Sequence, residues 1–99
     1  MISPRPMKSK IKRLKDGRYK LMLDDDLRSV LSHALAAAMH FDGEDMEDYL
    51  FALLSEILET MREEETPRLR RSQLLALIRH TEGYIDEPTQ LFFMSLLPK

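Results

Sequence analysis

The chain has no cysteine, and only three glycines and five prolines among its 99 residues. Without cysteine there is no disulfide framework and no thiolate metal site, which fits a reducing compartment. Long apolar runs are missing too. The longest, Ala34–Met39 and Tyr49–Leu54, are six residues each, far short of the ~20 a membrane-spanning helix needs. The opening Met1-Ile2-Ser3-Pro4-Arg5-Pro6 lacks the apolar stretch of a secretory signal. A cytoplasmic protein with no membrane contact is expected. No internal repeat or low-complexity tract interrupts it.

What is present is charge, sorted into blocks. Residues 1–20 carry eight Lys/Arg against Asp16 alone. Residues 24–65 carry thirteen Asp/Glu against Arg28 and Arg62. The net charge of −2 therefore hides a strong dipole of the kind that steers partners. Apolar content of 43% with 32% charged residues belongs to a folded domain, and the length suits one core.

The predicted fold is mainly α: a short basic N-terminal β-hairpin followed by a four-helix array. Residues 1–9 are expected to form a mobile basic arm, and 10–99 a single small helical domain. Within it, residues 10–23 read as a hairpin about Asp16-Gly17, a dipeptide suited to the positive φ angles of a type I′ turn. In that register Lys15 faces Arg18, Leu14 faces Tyr19 and Arg13 faces Lys20. Apolar positions at i, i+3 and i+4 spacing predict helices over about 26–41, 45–63, 67–81 and 88–97. Asp24-Asp25-Asp26 caps the first. The second carries Met46, Tyr49, Leu50, Leu53, Leu54, Ile57, Leu58 and Met61 on one face. Thr66-Pro67 opens the third, with proline at its first position. Glu87-Pro88 opens the fourth, which is apolar nearly all round and so is expected to be buried or paired.

No catalytic or metal site is predicted, and no cofactor. Asp26, Ser29 and His33 share a helix face, but a serine in mid-helix has no free amides nearby to stabilise an oxyanion. His33 and His40 lie two turns apart, about 10.5 Å, too far to share one metal. Asp42-Gly43-Glu44-Asp45 places glycine second, where a calcium loop of the EF-hand kind needs it sixth.

The function expected is therefore that of a non-enzymatic regulatory or adaptor protein acting through protein–protein contacts as a homodimer. Arg13, Lys15, Arg18 and Lys20 form its basic contact surface, with like charges opposed across the strands and in need of an anionic partner. Glu44, Asp45, Glu47 and Asp48 form an acidic partner surface. Tyr49, Leu53, Leu91, Phe92 and Phe93 form the self-interface. The alternative partner is nucleic acid, met by phosphate contacts from the basic ribbon. Strand 18–23, a helix, a glycine-containing turn and a second helix resemble in order the ribbon-helix-helix DNA-binding regulators. That resemblance implies base contacts by Arg18, Lys20 and Met22. The departures are a long first helix and the acids that open the second.

Overall fold

The computed structural model describes residues 9–98. The chain runs β1 (Lys10–Arg13), β2 (Tyr19–Met22), α1 (Asp25–Asp42), α2 (Asp48–Glu63), β3 (Arg68–Leu69), α3 (Arg71–Thr81) and α4 (Glu87–Ser95), with single 3-10 turns at Gly43–Asp45 and Glu82–Tyr84. It is mainly helical, as the periodicity predicts. One element is unexpected: β3 pairs antiparallel with β2, giving a three-stranded sheet of order β1-β2-β3.

The sheet corrects two expectations. The hairpin register is Ile11↔Leu21, Lys12↔Lys20 and Arg13↔Tyr19, one residue away from the predicted pairing. Its cause is the turn. The Leu14 N–H donates to the Arg18 carbonyl and the Gly17 N–H to the Leu14 carbonyl, enclosing Lys15, Asp16 and Gly17 in a three-residue loop. Only Gly17 has positive φ, at 90°, so the loop is a type I turn closed by a glycine bulge rather than a type I′ turn. A slip of one residue sends every β1 side chain to the opposite face.

The second correction concerns Thr66-Pro67, which leads into β3 and not into a helix. Pro67 is buried, and its carbonyl accepts a hydrogen bond from the Leu21 N–H. A proline at the start of an edge strand loses no ladder bond. α3 then begins after Arg70, whose N–H donates to Gln73 Oε1 at 2.8 Å. Gln73 is buried, and its amide also donates to Glu56 of α2 at 2.9 Å, fixing the entry of α3 against α2.

The other helix starts follow local chemistry. Asp24 accepts from the Leu27 N–H and caps α1; Ser9 bonds the same aspartate. Asp86 caps α4 through the Thr89 N–H, with proline in the first turn. Between α1 and α2 the acids divide the chain. Carboxylates are unfavourable at the negative C-terminal end of α1 and favourable at the positive start of α2. The chain accordingly breaks into a 3-10 turn, Met46 is extended, and α2 starts only after Glu47. Met46 thus precedes the helix on whose face it was expected.

The core joins Leu31 and Leu35 of α1, Leu54, Ile57 and Met61 of α2, Leu74 and Leu77 of α3, and Phe93 of α4 to Ile11, Leu21 and Leu69 of the sheet. The helices pack on the face of the sheet that carries these last three residues. α4 is not the buried helix that its composition suggests. Only Phe93 is enclosed, at 1% exposure, while Leu91 stands 58% exposed. The predicted arm, residues 1–9, lies outside the described residues except for Ser9. Among the described residues no helix is long and apolar enough to cross a membrane.

Candidate functional site

The register decides which cations share a surface. Alternation along each strand puts Ile11, Leu21 and Leu69 on the core face. It puts Lys10, Lys12, Lys20, Met22 and Arg68 on the outward face, with Arg18 at the hairpin end of the same row. Lys12 lies directly opposite Lys20, and Lys20 opposite Arg68. Three cations therefore stand in one line across the sheet. Cross-strand neighbours sit about 4.5–5.5 Å apart at Cβ, so the row concentrates positive charge that no helix covers.

Of the four basic residues expected to act together, the structure keeps Arg18 and Lys20 on this face. Lys15 is in the exposed turn. Arg13 falls on the other face, at an open groove with Tyr19, Arg71, Leu74 and Leu97. Lys12 and Arg68 take the places beside Lys20. The expected opposed pairs Lys15/Arg18 and Arg13/Lys20 become Lys12/Lys20 and Lys20/Arg68. Lys12 was missed because of the register, and Arg68 because two residues are too few to show strand alternation. Asp16-Gly17 fits both turns, its glycine standing second in a type I′ pair or third in a bulged three-residue loop.

Internal partners are distributed unevenly. Arg18 is held by Asp16, Nε to Oδ2 at 2.9 Å, with the Arg18 N–H also donating to Asp16 at 3.0 Å. The backbone bond first, then the guanidinium, lowers the Asp16 carboxyl below its ordinary value. Arg28 pairs with Asp25 and Arg70 with Glu56. Lys10, Lys12, Lys20 and Arg68 form no ion pair with any described residue.

At the far end of α1 the character reverses. Glu44, Asp45, Glu47 and Asp48 are all exposed, together with Asp42. Phe41, 69% exposed, stacks on Tyr84 with centroids 6.2 Å apart and planes 7° apart. The Tyr84 hydroxyl donates to Asp42 at 2.9 Å, and this bond to a carboxylate raises the phenol above its ordinary value. Tyr49 and Phe51, in the first turn of α2, are exposed at the same end. Phe51 also explains Gly43: its ring lies 3.0 Å from where a Cβ would stand.

The residues expected to form a self-interface differ in exposure. Phe93 is inside the core, Leu53 and Phe92 pack against it, and only Tyr49 and Leu91 project into solvent. The strand that the ribbon-helix-helix resemblance singles out, β2, lies here between β1 and β3 of the same chain, and of the residues it implies, Lys20 and Met22 face outward with Arg18 at the end of their row.

Ser29 and His33 do approach, Oγ to Nδ1 at 3.4 Å on the exposed side of α1. The amides around Ser29 belong to the helical ladder and are not free to stabilise an oxyanion; Arg28, Ser32 and Arg62 line the same depression. Among the described residues no three His, Asp or Glu side chains converge as a metal site would require. The surface depressions are open grooves. One lies between the starts of α1 and α4, lined by Leu27, Val30, Pro88 and Phe92 with Asp24 and Asp26 at its rim. No family model, no curated protein and no solved structure matches this chain.

Proposed function

We propose that this is a non-enzymatic regulatory or adaptor protein that works by contact, and that the outward face of its sheet is the docking surface for an acidic partner protein. The observation that carries this reading is the row Lys12–Lys20–Arg68, in which like charges sit directly opposite one another with no carboxylate partner among the described residues. Opposed like charges destabilise a sheet. A partner that neutralises them gains Coulomb energy and relieves that repulsion together. The core helices pack on the other side of the sheet, against Ile11, Leu21 and Leu69.

A second reading, nucleic acid, draws on the same row, since phosphates would neutralise it as carboxylates do. Two features favour protein. The net charge is −2, where nucleic-acid-binding domains are strongly basic. The outward face also carries no aromatic side chain on which bases would stack.

The test is capture from the chain's own cell extract, with and without nuclease. The native chain is compared with the triple variant Lys12→Gln, Lys20→Gln, Arg68→Gln. A partner that survives nuclease and is lost on the triple variant is the expected outcome. Capture unchanged by the triple variant removes the sheet face from the account. Capture abolished by nuclease transfers the reading to nucleic acid.

A further inference from the structure

We infer that the outward sheet face accepts the acidic, aromatic end of a second copy of this chain, so that molecules associate head to tail. This rests on the reading above and names the partner. The argument begins with charge. The sheet face presents Lys10, Lys12, Lys20 and Arg68, which form no ion pair among the described residues. The far end of α1 presents Glu44, Asp45, Glu47 and Asp48, all exposed.

Within one molecule the two surfaces do not meet. The sheet adjoins the start of α1, the acids follow its end, and 18 residues of helix separate them by about 27 Å. That exceeds the screening length of about 10 Å at 0.1 M salt, so each pole acts as a separate surface.

Apolar matter is concentrated in the same place. Of the eight large apolar side chains exposed among the described residues, Phe41, Tyr49, Phe51 and Tyr84 belong to the acidic end. Aromatics within a charged rim are what interface centres are made of. Arg and Lys from a facing molecule also gain from lying over aromatic faces, and the stacked pair Phe41–Tyr84 offers such a face. Met22, half-buried on the outward sheet face beside Lys10 and Lys20, supplies the adaptable apolar contact.

Because the two surfaces differ, the contact is heterologous. It propagates into open chains or closes into a ring, and it does not stop at a two-fold dimer.

Sedimentation velocity over a range of concentrations tests this, first in about 0.01 M and then in about 1 M salt, where the screening length falls from about 30 to about 3 Å. At low salt the mass should grow with concentration past two copies; at high salt it should return to one. Two variants then separate the ends. The first carries Lys12→Glu, Lys20→Glu and Arg68→Glu. The second carries Glu44→Gln, Asp45→Asn, Glu47→Gln and Asp48→Asn.

Each alone should be monomeric. Mixed in equal amounts, they should form one heterodimer and stop, since each retains the end that the other lacks. Circular dichroism confirms that both are folded, and the glutamine version of the first variant repeats the experiment without charge reversal. A native chain that stays monomeric at every concentration overturns the inference, as does either variant assembling alone or a mixture that remains two monomers. If the native chain is monomeric while a nuclease-resistant partner is still captured through the sheet face, only this inference fails. If capture also ignores the sheet face, the functional reading fails with it.

Discussion

Tyr84 shows how one hydrogen bond and one ring contact tie two distant parts of the chain together. It lies in the 3-10 turn after α3, stacks on Phe41 near the end of α1 and donates to Asp42 at 2.9 Å. Only the neutral phenol can donate, and the bond to Asp42 raises the Tyr84 pKa above 10.0. The bond therefore contributes in full below the ordinary value and is lost as pH rises through the raised one. Tyrosinate absorbance tests this. The part contributed by Tyr84, isolated as the difference between the native chain and Tyr84→Phe, should ionise above 10.0 and move down towards that value in Asp42→Ala. A difference curve indifferent to Asp42→Ala would mean that the contact is absent in solution. Asp86 works in the opposite sense. Its bonds from Thr89, side chain first, lower its carboxyl, so its support for the start of α4 is present above 3.8 and fades as pH falls through the lowered value.

Elements differ in how far their sequence specifies them. α1 is legible because Asp24 caps it and Leu27, Leu31, Ala34, Leu35 and Ala38, at the helical spacing, are all buried. The later part of α2 is legible for the same reason, with Leu54, Ile57, Leu58 and Met61 inward. β3 is not legible. Two residues carry no period, and Thr66-Pro67 has the chemistry of a helix start until tertiary pairing with β2 claims it. The hairpin was legible as a hairpin but not in register, because Asp16-Gly17 serves either turn type and only the paired strands reveal the third loop residue. That slip decided the composition of the candidate surface: it exchanged Arg13 for Lys12, and β3 added Arg68. The sheet carries its own prediction. Lys20 is flanked by a cation on each side, so Lys20→Gln should raise stability at low salt by about 0.5 kcal/mol, within the range for cross-strand pairs. Denaturant midpoints at low and high salt check it. The gain should vanish as salt screens the row; a loss at low salt would show that Lys20 has an attractive partner.

On the scale of the whole molecule, charge is separated rather than mixed, and this has a thermodynamic consequence. Acids crowd the end of α1 and the start of α2, and cations crowd the sheet, so within each of these two poles near neighbours are of like sign. Each attractive pair has at least one well-exposed partner: Arg18–Asp16 and Arg70–Glu56 lie between 45% and 61% accessible, and in Arg28–Asp25 the aspartate is 96% and the arginine 26% accessible. Pairs of that kind contribute little. Screening therefore removes more repulsion than attraction, and raising salt from about 0.01 M to about 0.1 M, which shortens the screening length from about 30 to about 10 Å, should raise the melting temperature. Scanning calorimetry at low protein concentration isolates this intramolecular effect from association, which acts in the opposite direction: salt that stabilises each molecule weakens contact between copies. The two salt dependences should therefore carry opposite signs in the native chain. In the variant Lys12→Gln, Lys20→Gln, Arg68→Gln, the thermal one should shrink and the associative one disappear. A melting temperature that falls with added salt would mean that attraction between the poles, not repulsion within them, governs the folded state.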